Sequence, residues 1–149
     1  MAEPTGPGPT PTGPTPTGRG FGRFLVAVYG LFALAATARS AVQIATKFDQ
    51  APLAYLLSAF AGVVYVVATL SLARRAVGSR QIATVAISIE LIGVIVVGSA
   101  SQLFRGSFHD ATVWSGFGSG YGFVPLVLPF VGLWWLRRTR PQAAGFSPR

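Results

Sequence analysis

The chain has 149 residues, 51% of them hydrophobic and only 11% charged, with a mean hydropathy of +0.54; a soluble domain carries about a quarter charged residues. This composition argues against an ordinary water-soluble domain, and the absence of Cys excludes disulfides and thiolate metal sites. The formal charge of +8 invites a nucleic-acid reading, which the positions of the arginines argue against.

The first segment, residues 1–22, opens on MAEPTGPGPTPTGPTPTGRG, a Pro/Thr/Gly repeat with no apolar periodicity. Such a composition cannot bury enough surface to offset chain entropy, so a disordered cytoplasmic tail is expected. A signal peptide does not fit, because the positive residues come last and the apolar run that follows is too long. Thr5, Thr10, Thr12, Thr15 and Thr17 each follow a proline. They are candidate kinase targets or part of a polyproline II element, with a plain spacer as the simpler reading.

Four apolar stretches follow: Phe24 to Thr46, Leu53 to Ala73, Ile82 to Phe104 and Phe117 to Leu136. Each is close to the roughly 20 residues needed to cross hydrocarbon as a helix. They predict an all-α, four-helix transmembrane bundle over residues 23–138, followed by a short cytoplasmic tail over 139–149. In the first stretch, Arg39, Gln43 and Thr46 are spaced by about one turn and share a face expected to look inward. In the second, Ala54, Ser58 and Gly62 recur at four-residue steps and form a small-residue groove for a neighbouring backbone. The third carries Ala83, Ala86, Glu90, Gly93, Val97 and Ser101 on one stripe, small at its edges and polar in its middle.

The fourth stretch is irregular. The segment WSGFGSGYGF, Trp114 to Phe123, places Gly116, Gly118, Gly120 and Gly122 between aromatic residues, and Pro125 and Pro129 follow. A helix from Phe123 to Leu136 would cover only about 21 Å, so part of the glycine segment is expected to enter the membrane. Two forms are open: a helical extension packed through Gly116/Gly120 and Gly118/Gly122, or a non-helical dip shielded by protein. A nucleotide-binding reading of the glycines lacks a preceding strand and a phosphate-reading Lys. Trp134, Trp135, Arg137 and Arg138 form an expected inner-interface anchor.

Charge sets the expected orientation. Arg19 and Arg23 precede the first stretch, Arg74, Arg75 and Arg80 lie between the second and third, and Arg137, Arg138, Arg140 and Arg149 follow the fourth. The positive-inside rule places both termini and the central loop in the cytoplasm, with the loops around Asp49 and His109 outside. The arginines are therefore membrane-flanking clusters with an affinity for anionic headgroups, and no nucleic-acid partner is expected. Their number, beside much Ala, Gly, Val and Pro, fits a GC-rich bacterial coding bias.

Two opposite charges, Arg39 and Glu90, lie inside the apolar stretches, where ionisable residues are functional hypotheses by default. The first and third spans run in the same direction, and the helical tilt of side chains sends Arg39 toward Glu90, so the two form a candidate intramembrane polar pair. The competing arrangement is a neutral Glu90 hydrogen-bonded to a neighbour, with Arg39 reaching the outer headgroups. A proton- or substrate-handling Glu90 is the third.

Catalysis has little support in the sequence. His109 and Asp110 are adjacent, with Ser107 and Asp49 on the same expected side; adjacency is not triad geometry, and no nucleophile-bearing turn is present. One His with two loop carboxylates is a poor metal site. No catalytic residue, metal or cofactor is expected.

The opening FLVAVYGLFALAATARSAVQIATKFDQAPLAYLLSA and the ending DATVWSGFGSGYGFVPLVLPFVGLWWL resemble small four-span integral membrane proteins of actinobacterial type without an assigned activity. The likeness covers about residues 21–138. It implies a fold and a cytoplasmic-membrane location and transfers no site residues. Small multidrug exporters share four short spans and a membrane carboxylate, but theirs is in the first span, where this chain has Arg39. The expectation is an accessory or scaffolding subunit, self-associating or bound to other membrane subunits. The alternative is an oligomeric transporter or channel using Glu90.

Overall fold

The computed structural model describes residues 17–74, 76, 78–104 and 111–139, and every element among them is helical. Four α-helices, α1 (Thr17–Lys47), α2 (Pro52–Ala73), α3 (Ser79–Leu103) and α4 (Val124–Arg138), are supplemented by 3₁₀ segments at Phe48–Gln50 and Ser115–Tyr121. Helix α1 begins inside the segment read as tail, so residues 17–22 are helical; the rest of that tail, residues 1–16, lies outside the described residues.

Helices α1, α2 and α3 are each long and apolar enough to cross a membrane. Their regular backbone satisfies its own hydrogen bonds, which hydrocarbon requires. Pro52 stands in the first turn of α2, where its missing N–H costs nothing. The turn into α3 is tied by the Ser79 hydroxyl, 2.9 Å from Arg74 O and 2.7 Å from Ala76 O. Large apolar side chains face outward: Leu34 is 70% exposed, Leu31 66% and Ile92 61%. A bundle surrounded by water would be expected to bury such a surface, and one surrounded by acyl chains need not. The protein is a small membrane protein.

The fourth stretch departs from a straight helix. Ser115–Tyr121 and α4 meet at a bend of 97° and count as a fourth span only if taken together. Gly116, Phe117 and Gly118 have φ of 57°, 59° and 76°, and Gly122 and Phe123 follow at 62° and 60°. Left-handed backbone at these positions breaks any α-helical ladder. The segment is therefore not a continuous α-helical extension of α4 but a 3₁₀ segment interrupted by left-handed residues and packed against α3. Helix α4 alone, at 15 residues, covers about 22 Å.

The core runs along the axis between the helices. It contains Leu25, Tyr29 and Phe32 of α1, Tyr65 and Ala68 of α2, Ala83, Ile87 and Val94 of α3, Val113 and Trp114 before the 3₁₀ segment, and Leu128 and Leu136 of α4. Small residues let the helices approach. Ala54, Ser58 and Gly62 are all buried on α2, and a Cβ at Gly62 would lie 2.9 Å from Thr37 Oγ1 and 3.2 Å from Thr37 N of α1.

Candidate functional site

The middle of the small-residue stripe on α3 is Glu90, which is fully buried. Tyr29 of α1 donates its hydroxyl to Glu90 Oε2 at 2.9 Å, while Oε1 has no hydrogen-bond partner. Tyr65 of α2 faces the same carboxyl group and accepts from Trp114 Nε1 at 3.2 Å. The Tyr29 and Tyr65 rings are 6.2 Å apart. On the α4 side, a Cβ at Gly132 would meet the Tyr29 hydroxyl and Ile87 Cδ1 at 3.1 Å, a tight contact, so α4 packs closely behind the phenol. Two phenols, from α1 and α2, thus face one carboxyl on α3, while the indole engages the Tyr65 phenol and α4 packs behind the Tyr29 phenol.

Arg39 is engaged elsewhere. Its guanidinium donates to Tyr121 Oη at 3.1 Å and to Ala111 O at 3.2 Å. Arg39 and Glu90 are therefore not the polar pair that their sequence positions suggest. A tyrosine from a neighbouring helix reaches the carboxyl first, and the guanidinium finds neutral acceptors in Tyr121 of the 3₁₀ segment and in Ala111 before it. Glu90 is hydrogen-bonded to a neighbour, as in the competing arrangement, whereas Arg39 bonds to protein groups and not, as that arrangement has it, to headgroups alone. Of the residues expected on the Arg39 face, Gln43 is half-buried with Oε1 unpartnered. Thr46 is exposed and donates back to Val42 O at 2.7 Å.

A cavity of about 670 Å³ opens beside Arg39, walled by Ser101 of α3, Thr112, and Ser115, Gly116, Ser119 and Tyr121 of the 3₁₀ segment. Local hydrogen bonds hold this wall. Gly116 N donates to Ser101 Oγ at 2.8 Å, and Thr112 Oγ1 accepts from Trp114 N at 3.2 Å and Ser115 N at 3.0 Å. The Tyr121 ring meets Phe32 nearly edge-on at 5.8 Å.

The glycines of the 3₁₀ segment act individually, not as helix-packing pairs. Gly116 and Gly118 have positive φ, and an added Cβ would meet Ser119 Oγ at 2.7 Å and Pro125 Cγ at 2.7 Å. Gly122 has positive φ with open space around it, and Gly120 has open space and no such φ. The close seats are on α3. A Cβ at Gly93 would lie 2.5 Å from the Trp114 ring, and one at Gly98 2.6 Å from the Phe117 ring. Gly93 belongs to the stripe legible in sequence; Gly98 lies outside that stripe, and its signal is that glycine inside a spanning helix marks close approach.

At the opposite end, Trp134 is half exposed, with Arg138 4.8 Å over its ring and Phe21 packed edge-on at 6.4 Å. Trp135 turns inward onto Gly22 and its Nε1 is unpartnered. Arg137 is exposed, and Arg80 donates to Thr139 O at 2.9 Å. Among the described residues no three of His, Cys, Asp and Glu converge on a metal-sized site. Ser107, His109 and Asp110 lie outside the described residues.

Comparison with protein-family models, with curated proteins and with solved structures returned no significant match.

Proposed function

We propose that the chain is an accessory or scaffolding subunit of the cytoplasmic membrane, associating with other membrane subunits or with itself, and is not an enzyme. The observation that carries this reading is the enclosure of Glu90: its accessible surface is 0%, its carboxyl is held by Tyr29 of α1, and Gly132 of α4 packs against that same phenol. A carboxyl that passes ions or protons needs a hydrated path, and this one is fully buried with a tyrosine hydroxyl on it. The outward surface, by contrast, offers long apolar helix faces to lipid and to other helices.

In this reading both termini and the Arg74 to Arg80 loop are cytoplasmic, and the Arg39 end faces outward. The charge distribution supports this orientation, because the arginines cluster at the ends and loop assigned to the inner side. The sequence resemblance to actinobacterial four-span proteins belongs to the same proposal.

Purification of the full chain in mild detergent, with mass spectrometry of co-purifying proteins and cross-linking in native membranes, tests it. A stoichiometric partner or a discrete homo-oligomer is expected; a monomer without companions overturns it. The transporter alternative predicts a proton-dependent flux in liposomes that Glu90→Gln abolishes while leaving stability intact.

A further inference from the structure

We propose that the cavity beside Arg39 is a binding site for a phosphate-bearing anion, either the headgroup of an acidic phospholipid or free phosphate. Three features converge on it. Arg39 lies within α1, eight residues before the helix ends at Lys47, and its described hydrogen-bond partners are both neutral, a phenol and a backbone carbonyl. A cation in a spanning helix is costly without an opposite charge or water. The cavity supplies room for that charge: it is open, about 670 Å³ in volume, and none of the described residues that line it is a carboxylate.

The guanidinium is also positioned in advance. Two of its five N–H groups are held by Tyr121 and Ala111, and Tyr121 is in turn fixed against Phe32. A planar fork whose other donors have no partner among the described residues matches the paired oxygens of a phosphate, and a guanidinium is better suited to this than an ammonium. Ser119 lines the remainder and offers a hydroxyl to a phosphate or its glycerol, while Ser101 and Ser115 are bonded within the wall and hold its shape. The site does not depend on the scaffolding role and stands whichever function the chain has.

The test uses the full chain in a neutral detergent and follows the thermal unfolding midpoint. One arm adds inorganic phosphate against chloride at equal ionic strength; the other adds phosphatidylglycerol against phosphatidylcholine. A saturable rise in the midpoint is expected in one arm or both, since a ligand that binds only the folded state stabilises it. The arm that responds identifies the source.

Gly120 lines the cavity, and a Cβ there meets nothing within 4 Å. Gly120→Leu should therefore fold, fill the cavity and abolish the rise with Arg39 still in place. Arg39→Gln should abolish it as well, and Arg39→Lys should weaken binding by about tenfold. No rise in either arm, an undiminished rise in Gly120→Leu, or a rise that appears only after Asp110→Asn removes the carboxylate that precedes Ala111 in sequence overturns the proposal.

Discussion

Tyr29 and Glu90, 61 residues apart in sequence, meet in the centre of the bundle through a 2.9 Å hydrogen bond. Tyr29→Phe would keep the ring and leave the carboxyl without that donor. A loss of about 1–3 kcal/mol is expected, the usual cost of stranding a buried polar group. Adding Glu90→Leu to Tyr29→Phe should cost less than the two single changes summed, which a double-mutant cycle in denaturant titrations would show. Equal additivity would mean that the hydrogen bond contributes nothing.

Arg39 and Glu90 should behave in the opposite way. They share no hydrogen-bond partner among the described residues, so Arg39→Leu and Glu90→Leu are expected to add within about 0.5 kcal/mol in the same assay. A coupling above about 1 kcal/mol would restore the ion pair that their sequence positions suggest.

Sequence reading reached the three regular spans within a few residues at most ends, because a long apolar run in a helix-forming context has few other outcomes. Helix α1 starts earlier, at Thr17, where composition argued for a tail. The partners of Glu90 were harder to see. Tyr29 and Tyr65 sit in apolar runs and are easily counted as hydrophobic, although a phenol in hydrocarbon needs a polar companion. The 97° bend was only half legible. Glycines announced irregular backbone, but nothing in the pattern marked Phe117 and Phe123 as left-handed residues, since non-glycine residues seldom adopt that conformation.

The seating of aromatic rings on α3 gives a third prediction. Gly93→Ala would put a Cβ 2.5 Å from the Trp114 ring, and Gly98→Ala would put one 2.6 Å from Phe117. Overpacking of this kind typically costs about 1–3 kcal/mol. Trp114→Leu, by freeing the seat, should make Gly93→Ala less costly than it is in the native background. Unfolding midpoints of the singles and the double decide this; if Gly93→Ala costs the same in both, the ring is not what the new methyl meets.

Orientation is open to cysteine labelling in a chain that has none of its own. Ser79 is a poor reporter because it is buried and its hydroxyl bridges two carbonyls. Gly78 is exposed with open space around it, and Asp49 is exposed at the other end. In intact cells an impermeant maleimide should label Asp49→Cys and spare Gly78→Cys until the membrane is opened. The reverse pattern would invert the topology proposed from the arginines.

The glycine segment yields the last prediction, a ranking by backbone geometry. Gly118 combines a φ of 76° with Pro125 carbons 2.7 to 2.8 Å from where a Cβ would stand. Gly118→Ala is therefore expected to cost about 2–4 kcal/mol, from conformational strain and collision together. Gly122 shares the positive φ but has open space, so Gly122→Ala should cost about 1–2 kcal/mol, from strain alone. Gly120 has neither constraint, and Gly120→Ala should be neutral or slightly stabilising, because alanine narrows the unfolded ensemble. Thermal midpoints in one detergent would give the order directly. Equal cost at all three positions would contradict a segment held by individual left-handed residues and return the series to a uniform helical face, where each glycine contributes in the same way.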